Sequence, residues 1–318
     1  MADRTESVGS RMGRSRPPAC GPTSYCPRTH GAPCLGFHPS INRGFLCAIE
    51  RSISYGATCA QMWMGNSKGY ASRMIPEAEY EPVAKLVKEN NFFLIAHSPY
   101  ILNFARPLQE SPVGLSALNR YIRDLQNVTN LGGVGSVLHI GSAVDQDSDQ
   151  ALDTFVDNLR WVIERMPEKA TIILENMAGG GKQLCTTMEQ WGELWNEKLD
   201  PSDHSRIKWC IDTAHLFAAG EYNVSSPRMV DRFRRDFDET IGWDDLLCFH
   251  FNGSKSGFGS HKDCHDDIGS GKIANAGLCR VAQIAAETNK PMILEVPVES
   301  FTLLEQFETV TKWSTAQR

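Results

Sequence analysis

Eight short, β-prone apolar runs punctuate the chain: CLGFH (34–38), ATCAQMW (57–63), FFLIAH (92–97), SVLHI (136–140), TIILE (171–175), IKWCID (207–212), DLLCFH (245–250) and PMILE (291–295). Longer polar or amphipathic stretches separate them. PEAEYEPVAKLVKENN (76–91) and ALDTFVDNLRWVIERM (151–166) are two of these, with apolar residues three and four apart, as one face of a helix requires. Short buried strands alternating with helices build parallel βαβ units, and eight such units close into a (β/α)8 TIM barrel, an α/β fold whose active sites lie at the C-terminal rim. The rival is an open doubly wound sheet. It would place a glycine-rich phosphate turn after its first strand, and FHPSINRGF (37–45) supplies none.

The 318 residues, 41% of them hydrophobic, suffice for one large core. No apolar run reaches the length of a membrane span, and the N-terminus has no apolar signal region, so the expectation is an intracellular protein. Its ten cysteines, with no C-x-x-C pair, then read as reduced thiols. Nothing distinguishes nucleus, cytoplasm or virion. A net charge of −6 gives no overall basic footprint for nucleic acid, although bound divalent cations would add positive charge that a residue count omits. Residues 1–33 differ from the remainder. They hold five arginines against two acids and are rich in Ser, Pro and Gly, which predicts a disordered basic arm ahead of a barrel domain over 34–318. Cys20, Cys26, His30 and Cys34 could bind a metal in principle, but their spacing matches no common zinc module.

The chemistry stands at the ends of the runs. Runs three to eight finish on, or one residue after, His97, His139, Glu175, Asp212, His250 and Glu295, separated by 42, 36, 37, 38 and 45 residues. In a barrel these positions share one rim. Polar residues often terminate strands, which accounts for one or two of the six. Glu175 and Glu295 each follow a strongly apolar tripeptide, where an unpaired carboxylate is costly and metal coordination removes the cost. His215, three residues past Asp212, and the pair Asp263 and His265 in HFNGSKSGFGSHKDCH (250–265) fall in loops over the same rim. Nine imidazole and carboxylate ligands exceed the need of one ion; they suit Zn²⁺, with Mn²⁺ or Fe²⁺ open. Several ions in one cleft point to phosphate-ester hydrolysis, in which metals clamp the attacking and leaving oxygens.

These stretches, HSPYILNFARP (97–107), LHIGS (138–142), LENMAGGG (174–181), CIDTAHLFAAG (210–220), HFNGSKSGFGSHKDCH (250–265) and ILEVP (293–297), occur in order. With them the chain resembles the endonuclease IV family of zinc-dependent apurinic/apyrimidinic endonucleases from about residue 35 to its end. The resemblance implies three zinc ions: one on His97, His139 and Glu175; a second on bridging Glu175, Asp212, His250 and Glu295; a third on His215, Asp263 and His265. Glu175 and Glu295 would be the catalytic carboxylates. It further implies a monomer that flips an abasic nucleotide out of duplex DNA. Cleavage on the 5′ side would leave a 3′-hydroxyl and a 5′-deoxyribose phosphate, with 3′-end phosphodiesterase activity in prospect.

Two positions depart from the family's pattern. Asp266 follows the D-x-H motif where a histidine is common, and Gly253 stands in HFNGSKS where many members carry an acid. Both concern substrate contacts rather than ligands. The loop after run two, which in the family probes the minor groove, here reads MGNSKGY (64–70), with Lys68 or Tyr70 as the candidates the resemblance offers for its wedge; Tyr100 and Ile101 match the family's second wedge, with plain capping of the rim as the alternative. GGGK (179–182) is no phosphate loop, because Asn176 and Gln183 stand where glycine and Ser or Thr belong. Two other functions compete. A metal-dependent sugar isomerase or epimerase on this barrel would not need the His215–Asp263–His265 group. A zinc-stabilised binding module would normally be closed by cysteines.

Overall fold

The computed structural model describes residues 33–295 and 302–316. Its strands are β1 (Leu35–Phe37), β2 (Cys59–Trp63), β3 (Phe93–His97), β4 (Gly135–His139), β5 (Thr171–Glu175), β6 (Ile207–Asp212), β7 (Leu246–His250), β8 (Gly253–Ser254), β9 (His265–Asp266) and β10 (Met292–Leu294). All except β8 and β9 form a closed barrel in the order β1-β10-β7-β6-β5-β4-β3-β2. Every one of its neighbouring pairs is parallel. The eight runs are thus the eight barrel strands, and the chain is a TIM barrel. Around it lie α1 (Phe45–Ser54), α2 (Glu77–Glu89), α3 (Pro112–Asn130), α4 (Ser148–Ile163), α5 (Met188–Glu193), α6 (Thr213–Ala219), α7 (Pro227–Thr240), α8 (Asn275–Glu287) and α9 (Leu303–Thr315).

Side chains alternate across a strand, so each barrel strand offers one parity to the interior and the other to the helices. The interior cluster comprises Cys34, Cys59, Phe93, Ile95, Val137, Ile173, Cys210, Leu247, Cys248 and Ile293. The outward parity, including Leu94, Ala96, Leu138, Leu174, Ile211 and Phe249, joins the larger cluster against the helices. Two residues above the interior plug, on the same parity, stand His97, His139, Glu175, Asp212, His250 and Glu295. Two irregularities serve this closure. Gly36 in β1 lies so close to β2 that a Cβ there would fall 1.8 Å from the Cys59 carbonyl oxygen, so only glycine fits. A register shift at Trp209/Cys210 brings Cys210 opposite Cys248 and Asp212 opposite His250.

The basic arm lies outside the described residues except for Pro33, as do Cys20, Cys26 and His30 of the weak metal group. The expectation of reduced thiols needs one correction. Cys34, buried at the foot of β1, is disulfide-bonded, so its sulfur is no free ligand, whereas Cys47, Cys59, Cys185, Cys210, Cys248, Cys264 and Cys279 are free. Among the described residues no helix is long and apolar enough to cross a membrane.

Candidate metal centre

Glu175, at the end of β5 and almost fully buried, is the hub. Its Oε2 lies 3.4 Å from His97 Nε2 and 2.9 Å from His139 Nε2; its Oε1 lies 2.7 Å from His250 Nδ1 and 3.4 Å from His215 Nδ1. His250 Nδ1 is also 3.4 Å from Glu295 Oε2 and 4.0 Å from Asp212 Oδ2. Asp263 links His215 and His265 at 3.2 and 3.1 Å, and His265 Nε2 reaches Asp212 Oδ2 at 3.4 Å. All nine proposed ligands therefore form one connected network. Three groups bring a ligand atom from each member within 4.8 Å of the others: His97, His139 and Glu175; Glu175, Asp212, His250 and Glu295; and Asp212, His215 and His265. Asp212 belongs to two of them, while Asp263 completes the third from the open side.

Local structure aims these atoms. Asp212 caps the N-terminus of α6 with Oδ1, accepting the His215 N–H at 2.8 Å, and so leaves Oδ2 for the cluster. The ribbon β8–β9 turns the chain back on itself, pairing Ser254 with His265 and returning Asp263 and His265 beside His250. Gly253 and Asp266, the two departures from the family pattern, face each other across this ribbon. The histidine tautomers follow from what the far nitrogen meets. His97 Nδ1 donates to the Ser98 carbonyl at 2.7 Å and His215 Nδ1 to the Asn176 carbonyl at 2.9 Å, so in both rings Nε2 is the nitrogen left to ligate.

Three contributors escaped the sequence reading. Gln61 donates to Glu295 Oε1 at 2.8 Å, which leaves its Oε1 to accept from His250 Nε2 at 2.7 Å and turns His250 Nδ1 toward Glu175. Asn252 donates to Asp212 Oδ2 at 2.7 Å and Glu295 Oε2 at 3.1 Å. His38, one residue past β1, accepts from Gln61 at 3.2 Å; burial, reinforced by nearby imidazoles, drops it to about 3 and keeps it neutral. It ends run one as the ligands end theirs, a signal that was available.

Glu175 Oε2, His215 Nε2 and His265 Nε2 are buried yet lack a hydrogen-bond partner, although opposite groups lie about 3 Å away. These atoms lie within 4.8 Å of the other ligand atoms of their groups, which is how ligands of a common cation are disposed. The electrostatics match. Burial would lift Glu175, but His250 and His139 hold it well below the usual carboxylate range. Burial likewise opposes the ionisation of Glu295, which His250 and His265 nonetheless hold at about 2. Burial would lower the imidazoles, yet Glu295 and Glu175 hold His250 at about 10, Asp212 and Asp263 hold His265 at about 9, and the same two aspartates keep His215 well up.

The rim loops complete the surface. Tyr100 is 60% and Ile101 43% exposed, and the Tyr100 ring lies edge-on to Trp63 at 4.7 Å and 5.8 Å from His97. Lys68 is exposed and Tyr70 half-buried. Two of the GGGK amides are already engaged: the Gly179 and Gly180 N–H groups both donate to Gln183 Oε1 at 2.8 Å.

Residues 49–317 match the family described as xylose isomerase-like TIM barrels. The chain is 32% identical over 267 residues to the probable endonuclease 4 of Symbiobacterium thermophilum, spanning 83% of this chain and 93% of that protein. It belongs to the endonuclease IV family. The putative endonuclease 4 of Acanthamoeba polyphaga mimivirus is 28% identical over 88% of this chain and 93% of its own. The crystal structure of endonuclease IV from Thermus thermophilus superposes with a TM-score of 0.75 at 24% identity, covering 88% of this chain and 98% of that one.

Proposed function

We propose that the protein is a zinc-dependent DNA-repair endonuclease that hydrolyses the phosphodiester bond 5′ to abasic sites in duplex DNA. It would act as a monomer inside the cell. The observation that carries this reading is the nine-ligand network with its orphaned inward atoms, held on a chain of the endonuclease IV family. Three ions fit the donors: His97, His139 and Glu175 for one; Glu175, Asp212, His250 and Glu295 for the second; His215, Asp263 and His265, with Asp212 alongside, for the third. Bound there, the ions supply the positive charge that clamps phosphate oxygens and makes water a nucleophile at neutral pH.

The protein's own groups do the rest. Gln61 and Asn252 fix Glu295, and its low pKa of about 2 keeps it an anionic ligand at neutral pH rather than a proton acceptor. Exposed cations on the rim loops, Lys68, Arg106, Lys182, Lys255 and Lys262, offer phosphate contacts that the overall charge of −6 conceals. Tyr100 and Ile101 stand where a wedge would hold open the gap left by an extruded abasic nucleotide. A sugar isomerase shares the barrel, but the His215–Asp263–His265 group and the exposed apolar rim favour the nuclease.

The test is incubation with a duplex carrying one abasic site. Cleavage leaving a 3′-hydroxyl is expected, together with about three zinc ions per chain by elemental analysis. Loss of cleavage on chelation and its return with Zn²⁺ complete the expected pattern. Intact duplex, or full activity with one ion or fewer, defeats the reading.

Metal loading also has a proton signature. His215, His250 and His265 are all raised well above the ordinary imidazole value when no cation competes, so each is protonated at neutral pH in the metal-free protein and must lose its proton to ligate. Calorimetric titration of chelated protein with Zn²⁺ in buffers of differing ionisation enthalpy should report release of roughly three protons per chain. Because protons compete for these nitrogens, affinity falls as the pH is lowered. A buffer-independent enthalpy would contradict the ligand assignment.

A further inference from the structure

The loop joining β2 to α2, residues 64–75, has almost no regular structure of its own, yet it is tied down along its whole length from one face of α3. Arg120, fully buried, donates through one terminal nitrogen to the carbonyls of Asn66, Gly69 and Ala71 at 3.1, 2.8 and 2.9 Å. Asp124, one turn along α3 and equally buried, accepts the Arg120 Nε–H with both oxygens at 2.9 Å and neutralises it. Asn127, on the same stripe, accepts from the Ile75 N–H and donates to the Arg73 carbonyl, both at 2.9 Å. Positions 120, 124 and 127 lie four and three apart, so one helix face grips the loop at five backbone groups.

The gripped loop is continuous with the exposed apolar edge. Tyr100 N–H donates to the Ser67 carbonyl and the Tyr70 hydroxyl to the Ile101 carbonyl, each at 3.2 Å. Lys68 projects to solvent from the same turn. A buried ion pair adds little net stability compared with well-packed apolar groups of similar size, so the arrangement is better understood as defining shape.

We propose that Arg120 is a positioning residue for duplex recognition: by collecting three loop carbonyls it sets in advance the shape in which Lys68 and the joined Tyr70–Ile101 edge meet DNA. The proposal rests on the nuclease reading above and adds which residue prepares the surface. Ordering the loop before encounter removes an entropic cost from binding. The metal ligands gain nothing from it, since the clamp touches none of them.

The Arg120→Met/Asp124→Leu double variant removes both charges together, so neither is left buried alone. Its KM for an abasic duplex should rise about tenfold or more, while kcat and metal content stay within about twofold. Kinetics on a single-stranded abasic oligonucleotide should be unchanged, and faster amide exchange should be confined to residues 64–75. An unchanged duplex KM, equal losses on both substrates, or faster exchange spread through the barrel overturns the proposal. If the double variant does not fold, Asn127→Ala, which frees only the Arg73–Ile75 end, carries the same comparison. Wild-type protein that leaves abasic duplex intact would count against the nuclease reading, whereas the exchange measurement tests the clamp independently of it.

Discussion

Glu175→Gln is expected to lower kcat on an abasic duplex by at least about a thousandfold, well beyond the ~100-fold ceiling typical of groups that only support a metal ligand. The substitution keeps shape and volume but removes a charge that faces four imidazoles at once, with one oxygen toward His97 and His139 and the other toward His250 and His215. On the proposed assignment, both ions that would share the carboxylate lose their common anion. His250 also loses a main source of its elevated pKa. Asp263→Asn is the comparison: Asp263 approaches from the exposed side and serves only His215 and His265, so its loss should be milder. Metal analysis of both variants should show Glu175→Gln missing at least one more ion than Asp263→Asn. Near-normal turnover by Glu175→Gln would remove the bridge from the assignment.

The second large effect belongs to Tyr100→Ala combined with Ile101→Gly. Filling the space of an absent base offsets stacking energy that the duplex would otherwise lose, and an aromatic side chain against a base contributes ~1–3 kcal/mol. Truncating both residues should therefore reduce kcat/KM on abasic duplex by about a hundredfold. A single-stranded abasic oligonucleotide has no stack to hold open and should be cleaved almost as before. Because the Tyr100 ring sits 5.8 Å from His97 and 6.4 Å from His139, unchanged metal content is the necessary control. Equal losses on the two substrates would reduce this pair to caps on the barrel.

The strand ends were legible because burial and chemistry pull in opposite directions there. A carboxylate or imidazole straight after FFLIA, TIIL or PMIL has no solvent to reach, so it must have a partner, and only a barrel brings six such ends together. Gln61 was hidden by the same logic. A neutral amide inside CAQMW draws no attention, and its role emerges only when His250 arrives from 189 residues away. Sharing of Asp212 between two ligand groups depends on how the ribbon of β8 and β9 folds back, which spacing does not encode. Arg120 and Asp124 lie four apart on α3, a spacing that by itself does not tell a solvated pair from a buried one; both are buried, and Arg120 is bonded to the carbonyls of Asn66, Gly69 and Ala71. The oxidised state of Cys34 also eluded a reading based on motif spacing.

The alternation that stacks Ile173 beneath Glu175, Cys248 beneath His250 and Ile293 beneath Glu295 separates two tasks that most folds entangle. The lower storey keeps the barrel closed and is blind to what stands above it. The upper storey consists of last residues, each replaceable without disturbing a ladder hydrogen bond or the apolar plug. A lineage built this way can exchange one set of metal-binding side chains for another, and one substrate for another, by point substitution on a single level.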